Sequence, residues 1–492
     1  MEEEYIKLIF GLKLKQLRTD KKLSLFGLSK LTGLSKSYLN EIEKGKKYPK
    51  TDKIALLSEK LDVPYDNLVS LKLDKNLAPI GEILQSKILK EIPLDHFGIK
   101  ESDLIDIISE APVKTNTFIS TVIEIAKHYN LSRESFYLAS VRSYQESNNN
   151  YFQFLEEQVL EFAEAYQINL QQPIKTDELE DILIEEYGYT INDQDLKTHK
   201  ELYSLRSIFV PKTKTLLLAD HIDDAQKAFI YAKELAYNFL GFTDRLYTFS
   251  WIKFENFDQV LNNLYASYFA GALILPRKAL SEKLISIFNG EALDNSKFLS
   301  LFEAFNASPE SVYQRLTNIL PRDFGLNNLF FLRFTHKEGS ESYSLNKELH
   351  LTHQHSPHAN ESNEHYCRRW VSLKVIHQLQ QSNVDHAFDL QISHYQEDNQ
   401  SYLVLASATK DPFHPDQFRS ISLGLLINKQ LQKKISFIDD RAIKHVNVGV
   451  TCERCPVKDC DVRVASASLY EKRIKNEKIE EVVSDIFKKY ND

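Results

Sequence analysis

The four cysteines of this chain are the residues whose spacing most directly suggests chemistry. Three stand in the segment TCERCPVKDC as Cys452, Cys455 and Cys460, and the fourth is Cys367 in NEHYCRRW. A C-x2-C-x4-C run with a distant fourth thiol suits a tetrahedral four-thiolate centre, because one tight loop presents three sulfurs and a second segment closes the coordination sphere. The spacing therefore predicts a metal centre on these thiols. An iron-sulfur cluster and a zinc ion both fit it, and unmetallated thiols are the third possibility.

A histidine-rich tract precedes Cys367. The segment HLTHQHSPHANESNEHYC carries His350, His353, His355, His358 and His365. One of these imidazoles could serve as a metal ligand. We favour a polar surface loop with incidental histidines, because four cysteines already complete a tetrahedral centre.

Length and composition indicate a multidomain protein. At 492 residues the chain is too long for one hydrophobic core, and its length suggests about three domains. No run of about 18 uncharged apolar residues occurs, and Met1 is followed by three glutamates rather than a basic and apolar signal region. Four cysteines in so long a chain argue against a secreted disulfide scaffold. We therefore expect a soluble, cytoplasmic protein without a membrane partner.

Positive charge is concentrated near the amino terminus. The whole chain has a formal net charge of -8, whereas residues 11–60 contain 13 Lys or Arg against 5 Asp or Glu, a balance of +8. A basic patch on an otherwise acidic protein is a local footprint for phosphate groups. We therefore expect the amino-terminal region to bind a partner that carries phosphate groups.

Residues 11–68 have the periodicity of a bundle of short helices. Leucine and isoleucine recur at helical spacing, at Leu14, Leu17, Leu28, Leu31, Leu39, Ile42, Leu56 and Leu57. Gly33 falls at the turn between two helices, Ser35 is placed to cap the second, and Gly45 with Pro49 ends it. The pattern predicts four or five short helices that include a helix-turn-helix.

This segment resembles the Cro/C1-type repressor domain through the motif that runs from Gly33 to Gly45. The resemblance implies that Ser35 to Lys44 form the recognition helix, which enters the major groove of a double-stranded DNA operator. The residues expected to contact DNA are Ser35, Lys36, Ser37, Tyr38, Asn40, Glu41, Lys44 and Lys46. Lys47 and Lys50 are further candidates for phosphate contacts.

The same resemblance implies one structural ion pair and shows one departure. An arginine of the first helix and the glutamate before the terminal glycine form a pair in that family, and Arg18 and Glu43 occupy these positions. Relatives often place a phosphate-contacting glutamine where this chain has Leu25. That contact is therefore expected to be missing. A lysine-rich helical domain that binds protein is the alternative interpretation.

The middle of the chain combines helical segments with a predicted pair of short strands. Residues 79–170 have amphipathic periodicity, and SYQESNNNYFQF predicts a helix that begins near Asn149 or Asn150 with asparagine as its N-cap. Residues 203–220 predict two short strands about a Pro-Lys-Thr-Lys turn. A helix from Asp223 or Asp224 to Gly241 and a second one that stops at Pro276 should follow.

This order of strands and helices resembles the ImmA/IrrE-type peptidase domain, whose first helix carries H-E-x-x-H. The corresponding residues are Lys233, Glu234, Leu235, Ala236 and Tyr237. Zinc hydrolysis by that motif needs two imidazoles one turn apart, with the glutamate as base on metal-bound water. Lys233 and Tyr237 cannot replace the imidazoles. We therefore expect no enzymatic activity, and a ligand-sensing domain instead.

Taken in order, these segments resemble one family along nearly the whole chain, the short-chain fatty acyl-CoA transcriptional regulators, which include propionate-catabolism regulators. The shared features are the helix-turn-helix, SYQESNNNYF, ASYFAGALILPR, NEHYCRRW and CERCPVKDC. The resemblance implies acyl-CoA as effector and a 4Fe-4S cluster on Cys367, Cys452, Cys455 and Cys460. A zinc ion remains the alternative cofactor.

The residues that would bind acyl-CoA are less well defined. Acyl-CoA needs cations for its phosphates and an apolar slot for its short acyl chain. Arg206, Tyr268 and Arg277 lie on segments that could supply them. A packing or surface role for each is the alternative.

Strand-like segments dominate the carboxyl-terminal part. FFLRF, AFDLQISHY, SYLVLASA and FRSISLGLLI predict an antiparallel sheet that carries the cysteine loop, and residues 471–490 predict an amphipathic helix packed on the domain or on a dimer mate. The fold class is therefore multidomain, mainly α with α+β. The expected domains are a five-helix Cro/C1-type helix-turn-helix at 1–75, a helical linker at 76–170, a degenerate ImmA/IrrE-like α+β domain at 171–345 and a β-containing domain with the four-cysteine site at 346–492.

Helix-turn-helix domains commonly read two half-sites, so we expect a homodimeric, sequence-specific transcriptional regulator. The family resemblance implies that it regulates short-chain fatty acid or acyl-CoA metabolism. A peptidase-type regulator that cleaves a repressor is one alternative. An antitoxin-like DNA-binding interaction protein with a structural zinc is the other.

Overall fold

The computed structural model describes residues 2–71, 133–249, 254–351, 364–382, 384–396 and 399–491. The chain separates into two units, Met1–Ser140 with Glu255–Phe257 and Val141–Phe254 with Asp258–Asp492. Most of the predicted linker, residues 76–132, lies outside the described residues, as do His353, His355 and His358.

Five helices form the amino-terminal part of the first unit. They are α1 Glu2–Asp20, α2 Leu25–Thr32, α3 Lys36–Glu43, α4 Thr51–Leu61 and α5 Tyr65–Val69. Their apolar faces meet in one core, which contains Phe10, Leu14, Leu28, Leu39, Ile42, Leu57 and Leu61. The predicted five-helix bundle is confirmed, because the leucine periodicity places these side chains on facing helix surfaces.

In the described residues between α5 and the first sheet, the helices are α6 Arg133–Ser147, α7 Gln153–Ala165 and α8 Thr176–Glu185. The predicted asparagine N-cap is wrong, because α7 begins after Phe152 and has no side-chain cap. Asn149 and Asn150 instead follow the end of α6 with φ of 49° and 50°. Asparagine is one of the few residues besides glycine that tolerates this left-handed conformation.

A four-stranded sheet and two long helices follow. The strands are β1 Thr190–Asn192, β2 Ser207–Val210, β3 Thr215–Leu218 and β4 Thr248–Phe249, in the order β1-β3-β2-β4 with only β1 and β3 parallel. Helix α9 is Asp224–Phe239, and α10 is Phe257–Ile274. The hairpin prediction is confirmed. The helix limits are also as predicted, since Asp223 caps α9 and Gly241 follows it with φ of 68°.

Helices α11 Arg277–Phe288, α12 Asn295–Ala304 and α13 Pro309–Ile319 lead to a six-stranded sheet. Its strands are β5 Leu329–Lys337, β6 Ser344–His350, β7 His386–Tyr395, β8 Gln400–Lys410, β9 Gln417–Leu426 and β10 Lys444–Val448. The order is β10-β7-β8-β9-β5-β6, and every pair except β10 with β7 is antiparallel. The four strand-like segments of the sequence lie in β5, β7, β8 and β9, as expected. The predicted boundary near residue 345 falls inside β6.

Helix α14 Val371–Gln381 packs on one face of this sheet. Trp370, Val375 and Ile376 meet Phe334 and Tyr402 in a buried core. The core anchors the segment after Cys367 to the sheet. Shorter elements complete the unit, namely α15 Lys429–Lys434, 3-10 turns at Leu196–Thr198, Lys200–Leu202 and Ser436–Asp439, and a π-helical turn at Leu320–Phe324.

The last helix, α16 Ser468–Asn491, presents apolar side chains to solvent. Ile479, Val482, Ile486 and Tyr490 recur at helical spacing and are between 52% and 80% exposed. The helix is therefore amphipathic, as predicted. Across the described ranges, no helix combines the length and hydrophobicity that spanning a bilayer requires.

Candidate DNA interface, cysteine centre and ligand cavity

Local capping sets the position of the candidate recognition helix α3. Gly33 follows α2 with φ of 68° and donates its N–H to the Ser29 carbonyl at 2.8 Å, so the chain reverses there. Ser35 then accepts a hydrogen bond from the Tyr38 N–H at 3.2 Å. Gly45, with φ of 67°, follows the end of the helix. The predicted turn and cap are confirmed.

One face of α3 is buried and the other is open. Leu39 and Ile42 are fully buried against the other helices. Of the predicted DNA contacts, those that are exposed are Ser35, Lys36, Ser37, Asn40 and Lys46, and those that are partly buried are Tyr38, Glu41 and Lys44. Lys47 pairs with Glu41 at 2.8 Å, so these two predicted contacts neutralise each other in the free protein.

A bidentate ion pair joins α1 to the end of α3. The Arg18 Nε and Nη2 groups donate to the two carboxylate oxygens of Glu43 at 2.6 and 2.8 Å, and Arg18 Nη1 donates to the Leu23 carbonyl at 2.8 Å. Glu43 is only 4% exposed. This is the pair that the Cro/C1-type resemblance implies, and it fixes the angle at which α3 leaves the bundle.

A short backbone pairing brings the cysteine segments together. Tyr366 and Thr451 form an antiparallel bridge, Cys367 N–H donates to the Val450 carbonyl at 3.1 Å, and Cys452 N–H donates to the His365 carbonyl at 2.8 Å. Cys367, Cys452 and Cys455 are buried, and Cys460 is partly exposed. Within the described residues, none of the four forms a disulfide. Segments 85 residues apart in the chain thus meet at one place.

Burial controls the chemistry of the innermost thiol. It raises the pKa of Cys367 to about 11; the nearby Cys455 and Cys452 add to the effect, and backbone groups of Gly449 and Arg369 offset it in part. Since metals bind the thiolate, loading this residue must displace a proton. Gly449 is required for space, because a Cβ there would lie 2.8 Å from the Cys455 sulfur.

Arg463 holds the cysteine loop in shape. Its Nη1 donates to the Cys452 carbonyl at 2.6 Å, and its Nη2 donates to the Cys455 and Val457 carbonyls at 3.2 and 2.5 Å. These bonds fix the main chain around two of the thiols without a metal. Nothing in the sequence marked Arg463, because its partners are backbone oxygens.

Cys452 and Cys455 lie close enough to Cys367 to raise the pKa of its thiol, but the thiols are not closed on a common point. Among the residues that the structure describes, no group of three or more His, Cys, Asp or Glu side chains is arranged to hold a metal ion. The donor types suit a four-thiolate centre, and Arg369 faces both Cys367 and Cys460. His365 is engaged elsewhere, with its Nδ1 2.8 Å from Glu453.

The site of the peptidase motif contains a buried ion pair. Arg245 Nη2 lies 2.5 and 2.6 Å from the two carboxylate oxygens of Glu234, and the Tyr189 hydroxyl donates to Glu234 at 3.0 Å. Both partners of the pair are buried. The carboxylate that would act as general base therefore neutralises a guanidinium. Arg245 lies outside the motif, and the sequence carried no signal for it.

The two positions that would hold imidazoles share a different partner. Lys233 Nζ donates to Asn263 Oδ1 at 2.6 Å, and the Tyr237 hydroxyl donates to the same oxygen at 3.4 Å. Burial lowers the pKa of Lys233 to about 7, opposed by Glu234 and reinforced by Arg245. A polar network of this chain occupies the place of the metal ligands.

The structure does not bring the three predicted acyl-CoA residues to one place. Arg277 lines a cavity of about 970 Å³, where it pairs with Asp323 at 2.9 Å and donates to the Tyr151 hydroxyl at 2.8 Å. Tyr268 is buried, and its hydroxyl donates to Glu156 at 2.7 Å. Arg206 lies elsewhere, with its guanidinium 4.9 Å from the Phe413 ring.

The cavity has an apolar wall and a charged rim. Its apolar lining includes Val159, Leu160, Leu170, Ala272, Ile285, Phe288 and Phe324. Its cations are Arg277, Lys278, Arg322 and Lys434, and its carboxylates are Glu156, Glu157, Glu282 and Asp323. Its volume is at the upper end of the range for small-molecule sites.

Comparisons with known proteins agree with two parts of this description. A helix-turn-helix family model matches residues 14–68, and a model of the M78 peptidase family, described as IrrE N-terminal-like domain, matches residues 184–317. A solved Mycobacterium tuberculosis transcriptional regulator is similar to this chain at 18% identity and a TM-score of 0.45, over 66% of this chain and 92% of that one. No curated protein matches the sequence.

The helix-turn-helix match and the geometry of α3 define the class of this protein. It is a DNA-binding transcriptional regulator that combines a helix-turn-helix domain with an IrrE-like domain in which the peptidase motif is degenerate. The carboxyl-terminal sheet with its cysteines lies beyond both matches.

Proposed function

We propose that this regulator reads its operator through α3 and that its DNA affinity responds to a short-chain acyl-CoA and to an iron-sulfur cluster. The observation that carries the DNA-reading part is the exposed amino-terminal turn of α3, held in place by the buried Arg18–Glu43 pair. Residues at the start of a recognition helix are those that reach base edges in the major groove.

The peptidase alternative is disfavoured by the site itself. Glu234 is bound to Arg245 and Tyr189, and the flanking positions hold an ammonium and a phenol in place of imidazoles. Both carboxylate oxygens of Glu234 are engaged by Arg245, and Tyr189 also donates to one of them, so the carboxylate is not placed to take a proton from water. We infer that the domain binds ligands and does not cleave peptides.

Two side chains at the start of α3 are expected to specify the operator. Replacing Lys36 and Ser37 together by alanine should weaken binding to the preferred site by about 30-fold or more, because each substitution removes a contact worth about 1–3 kcal/mol. Non-specific binding should change little. The measurement is selection of a site from random duplexes, followed by fluorescence anisotropy at several salt concentrations.

The control for this experiment is Lys60→Ala, which removes an exposed lysine on α4 that pairs with Glu59 at 2.9 Å. It should leave the affinity for the selected site almost unchanged. An unaltered sequence preference in the Lys36 and Ser37 variant would show that α3 is not in the DNA interface.

We also propose a homodimer, for which the selected site should contain two half-sites about one helical turn apart. The exposed apolar face of α16 supports self-association.

The effector part of the proposal places the acyl-CoA in the cavity beside Arg277. The apolar wall suits a short acyl chain, and Arg277 and Arg322 place guanidinium groups near Tyr151, each centred 5.5 Å from its ring. Tyr268 acts there only through Glu156, which itself lines the cavity. Arg206 is too far removed in the fold to line it and belongs to a separate basic region.

The cluster part of the proposal assigns Cys367, Cys452, Cys455 and Cys460 as ligands. Three of these thiols are buried, Arg463 orders the loop, and the donor set is the one that iron-sulfur clusters use. A bound cluster would supply sensitivity to redox state or iron supply. A structural zinc on the same thiols is the alternative, and metal analysis separates the two.

One crossed experiment tests both parts. Cys455→Ser should lose the iron, sulfide and broad visible absorbance of anaerobically purified protein, about four irons and four sulfides per chain in the wild type, yet still bind propionyl-CoA. Arg277→Gln should keep the iron and weaken propionyl-CoA binding about tenfold, because one charge-assisted contact is lost. Each variant is the control for the other.

His377→Ala, which removes an exposed imidazole on α14, should alter neither quantity. If the wild type contained one zinc per chain and showed no visible absorbance, the centre would be a structural zinc site and not a cluster. Equal propionyl-CoA affinity in the wild type and the Arg277 variant would show that the effector does not bind in this cavity. Co-purification of a second chain, with DNA binding indifferent to propionyl-CoA, would favour the antitoxin-like alternative.

A further inference from the structure

Three neighbouring strands of the six-stranded sheet carry cations on the same face. Lys347 on β6 lies directly opposite Arg333 on β5. Arg419 on β9 lies opposite Thr335, which is two residues beyond Arg333 on β5. Because side chains alternate along a strand, Arg333, Thr335, Lys347 and Arg419 share one face. Like charges that face each other across strands destabilise a sheet. This arrangement therefore needs a compensating group.

One carboxylate lies within this cluster. Glu310, near the start of α13, sits 3.2 Å from Arg333 Nη1 and 3.7 Å from Lys347 Nζ. Burial alone would raise the pKa of Glu310, but Arg333, Lys347, Arg419 and Arg206 together hold it well below its ordinary value. Glu310 therefore stays ionised and still neutralises only one of the four positive charges.

Arg206 completes the cluster. Its guanidinium lies over the Phe413 ring, and burial lowers its pKa to about 10, with Glu310 and Asp411 opposing that effect and Arg419 and Arg333 adding to it. Among the described residues, Asp411 joins Glu310 as a second carboxylate, so two carboxylates face the four cations. The excess of two positive charges matches a dianion. The positive charges of Arg206 and Lys347 also act on the peptidase-motif site, because they lower the pKa of Lys233.

The cluster also contains donors that await an acceptor. Arg333 Nε and Arg419 Nε are buried and make no hydrogen bond within the described residues. A buried guanidinium N–H without an acceptor costs free energy, so an oxyanion that accepted from it would be bound the more firmly. The region is open enough to admit one, because the Lys347 side chain is 47% exposed and that of Arg333 is 25% exposed.

We propose that Arg206, Arg333, Lys347 and Arg419, which we call the basic face, bind the phosphate group of a small phosphorylated molecule, with Glu310 as the internal counter-ion that the phosphate displaces. Guanidinium groups recognise phosphate oxygens in pairs, which suits the two arginines on adjacent strands. None of these four residues lines the cavity beside Arg277. The inference therefore goes beyond the proposed effector site and does not depend on it.

The experiment is calorimetric titration of the full-length protein with pyrophosphate, ATP, coenzyme A and dephospho-coenzyme A. The double variant R333Q/R419Q should weaken the binding of whichever of these the wild type binds by about tenfold or more, since two charge-assisted contacts are lost. E310Q should strengthen the same binding, because the competing carboxylate is gone. A role in folding alone would not give these opposite signs.

The four ligands distinguish the sources of the phosphate. Binding of pyrophosphate and ATP assigns the face to nucleotide-type polyphosphates. If coenzyme A binds more tightly than dephospho-coenzyme A, the basic face recognises the 3′-phosphate of the coenzyme. R473Q, which changes an exposed arginine on α16, is the matched control and should leave pyrophosphate and ATP binding unchanged.

Thermal melting provides a second measurement that does not require the affinities. At the same ligand concentration, the melting temperature of the wild type and of E310Q should rise, and that of R333Q/R419Q should rise less. The double variant should fold, because it relieves repulsion between like charges. The inference is overturned if none of the four ligands binds the wild type, or if binding is the same in R333Q/R419Q.

Discussion

Arg315→Met is expected to lower the free energy of unfolding by about 3–5 kcal/mol, because it leaves a buried carboxylate without its cation. Arg315 on α13 donates to the two carboxylate oxygens of Glu156 on α7 at 2.6 and 2.9 Å, and to the Leu275 carbonyl at 3.0 Å. Its side chain is 1% exposed. Tyr268 on α10 also donates to Glu156. Three helices therefore depend on this one charge pair.

Urea denaturation followed by circular dichroism measures the effect. The double variant Arg315→Met with Glu156→Gln should be less destabilised than the sum of the single variants, because neither charge is then left unpaired. Arg473→Met is the matched control. It removes an exposed arginine on α16 that lies 3.7 Å from Glu477 and should cost less than about 0.5 kcal/mol. An unchanged midpoint for Arg315→Met would show that the pair contributes nothing.

Lys233→Met is expected to flatten the dependence of stability on pH between about pH 7 and 9.5. The folded-state pKa of Lys233 is about 7 against an ordinary value of 10.5, mainly because the ammonium is buried. Within this window the unfolded wild-type chain binds more protons than the folded chain, so its stability rises with pH, by at most about 1.4 kcal/mol per pH unit. Methionine cannot titrate, and this contribution should vanish.

The measurement is the difference in unfolding free energy between variant and wild type at several pH values. The variant should have its greatest advantage near pH 7, where the wild type carries the full cost of a buried ammonium, and lose it as the pH rises. Lys297→Met, an exposed lysine on α12, is the control and should show no such trend. A parallel pair of stability curves for Lys233→Met and wild type would show that Lys233 titrates normally.

Much of the amino-terminal domain could be predicted because its signals are local. Ser35 caps α3 through the N–H of Tyr38, three residues on, and Gly33 reverses the chain through its own φ. Local signals of the same kind predicted the ends of helix α9, where Asp223 caps the start and Gly241 follows the end. It failed at Asn149 and Asn150, because asparagine is equally suited to an N-cap and to the left-handed turn found there.

The candidate ligand sites were only partly predictable. The sequence indicated which thiols belong together, but it is the bridge between Tyr366 and Thr451 that brings Cys367 to the loop. It also showed that Glu234 lacks flanking imidazoles. It could not show that Arg245 neutralises this carboxylate. Arg206 was expected beside Arg277 and lies instead in the basic face.

The sequence by itself determined the helix-turn-helix, the loss of the peptidase ligands and the thiol donor set, because these follow from residue type and from contacts within a few positions. Only the tertiary structure brings together the charged side chains of the basic face. Arg333, Lys347 and Arg419 meet through the register of three strands, and Glu310 reaches them from a helix. Coulomb interactions depend on distance in space, and strand register and helix packing set that distance between residues far apart in the chain.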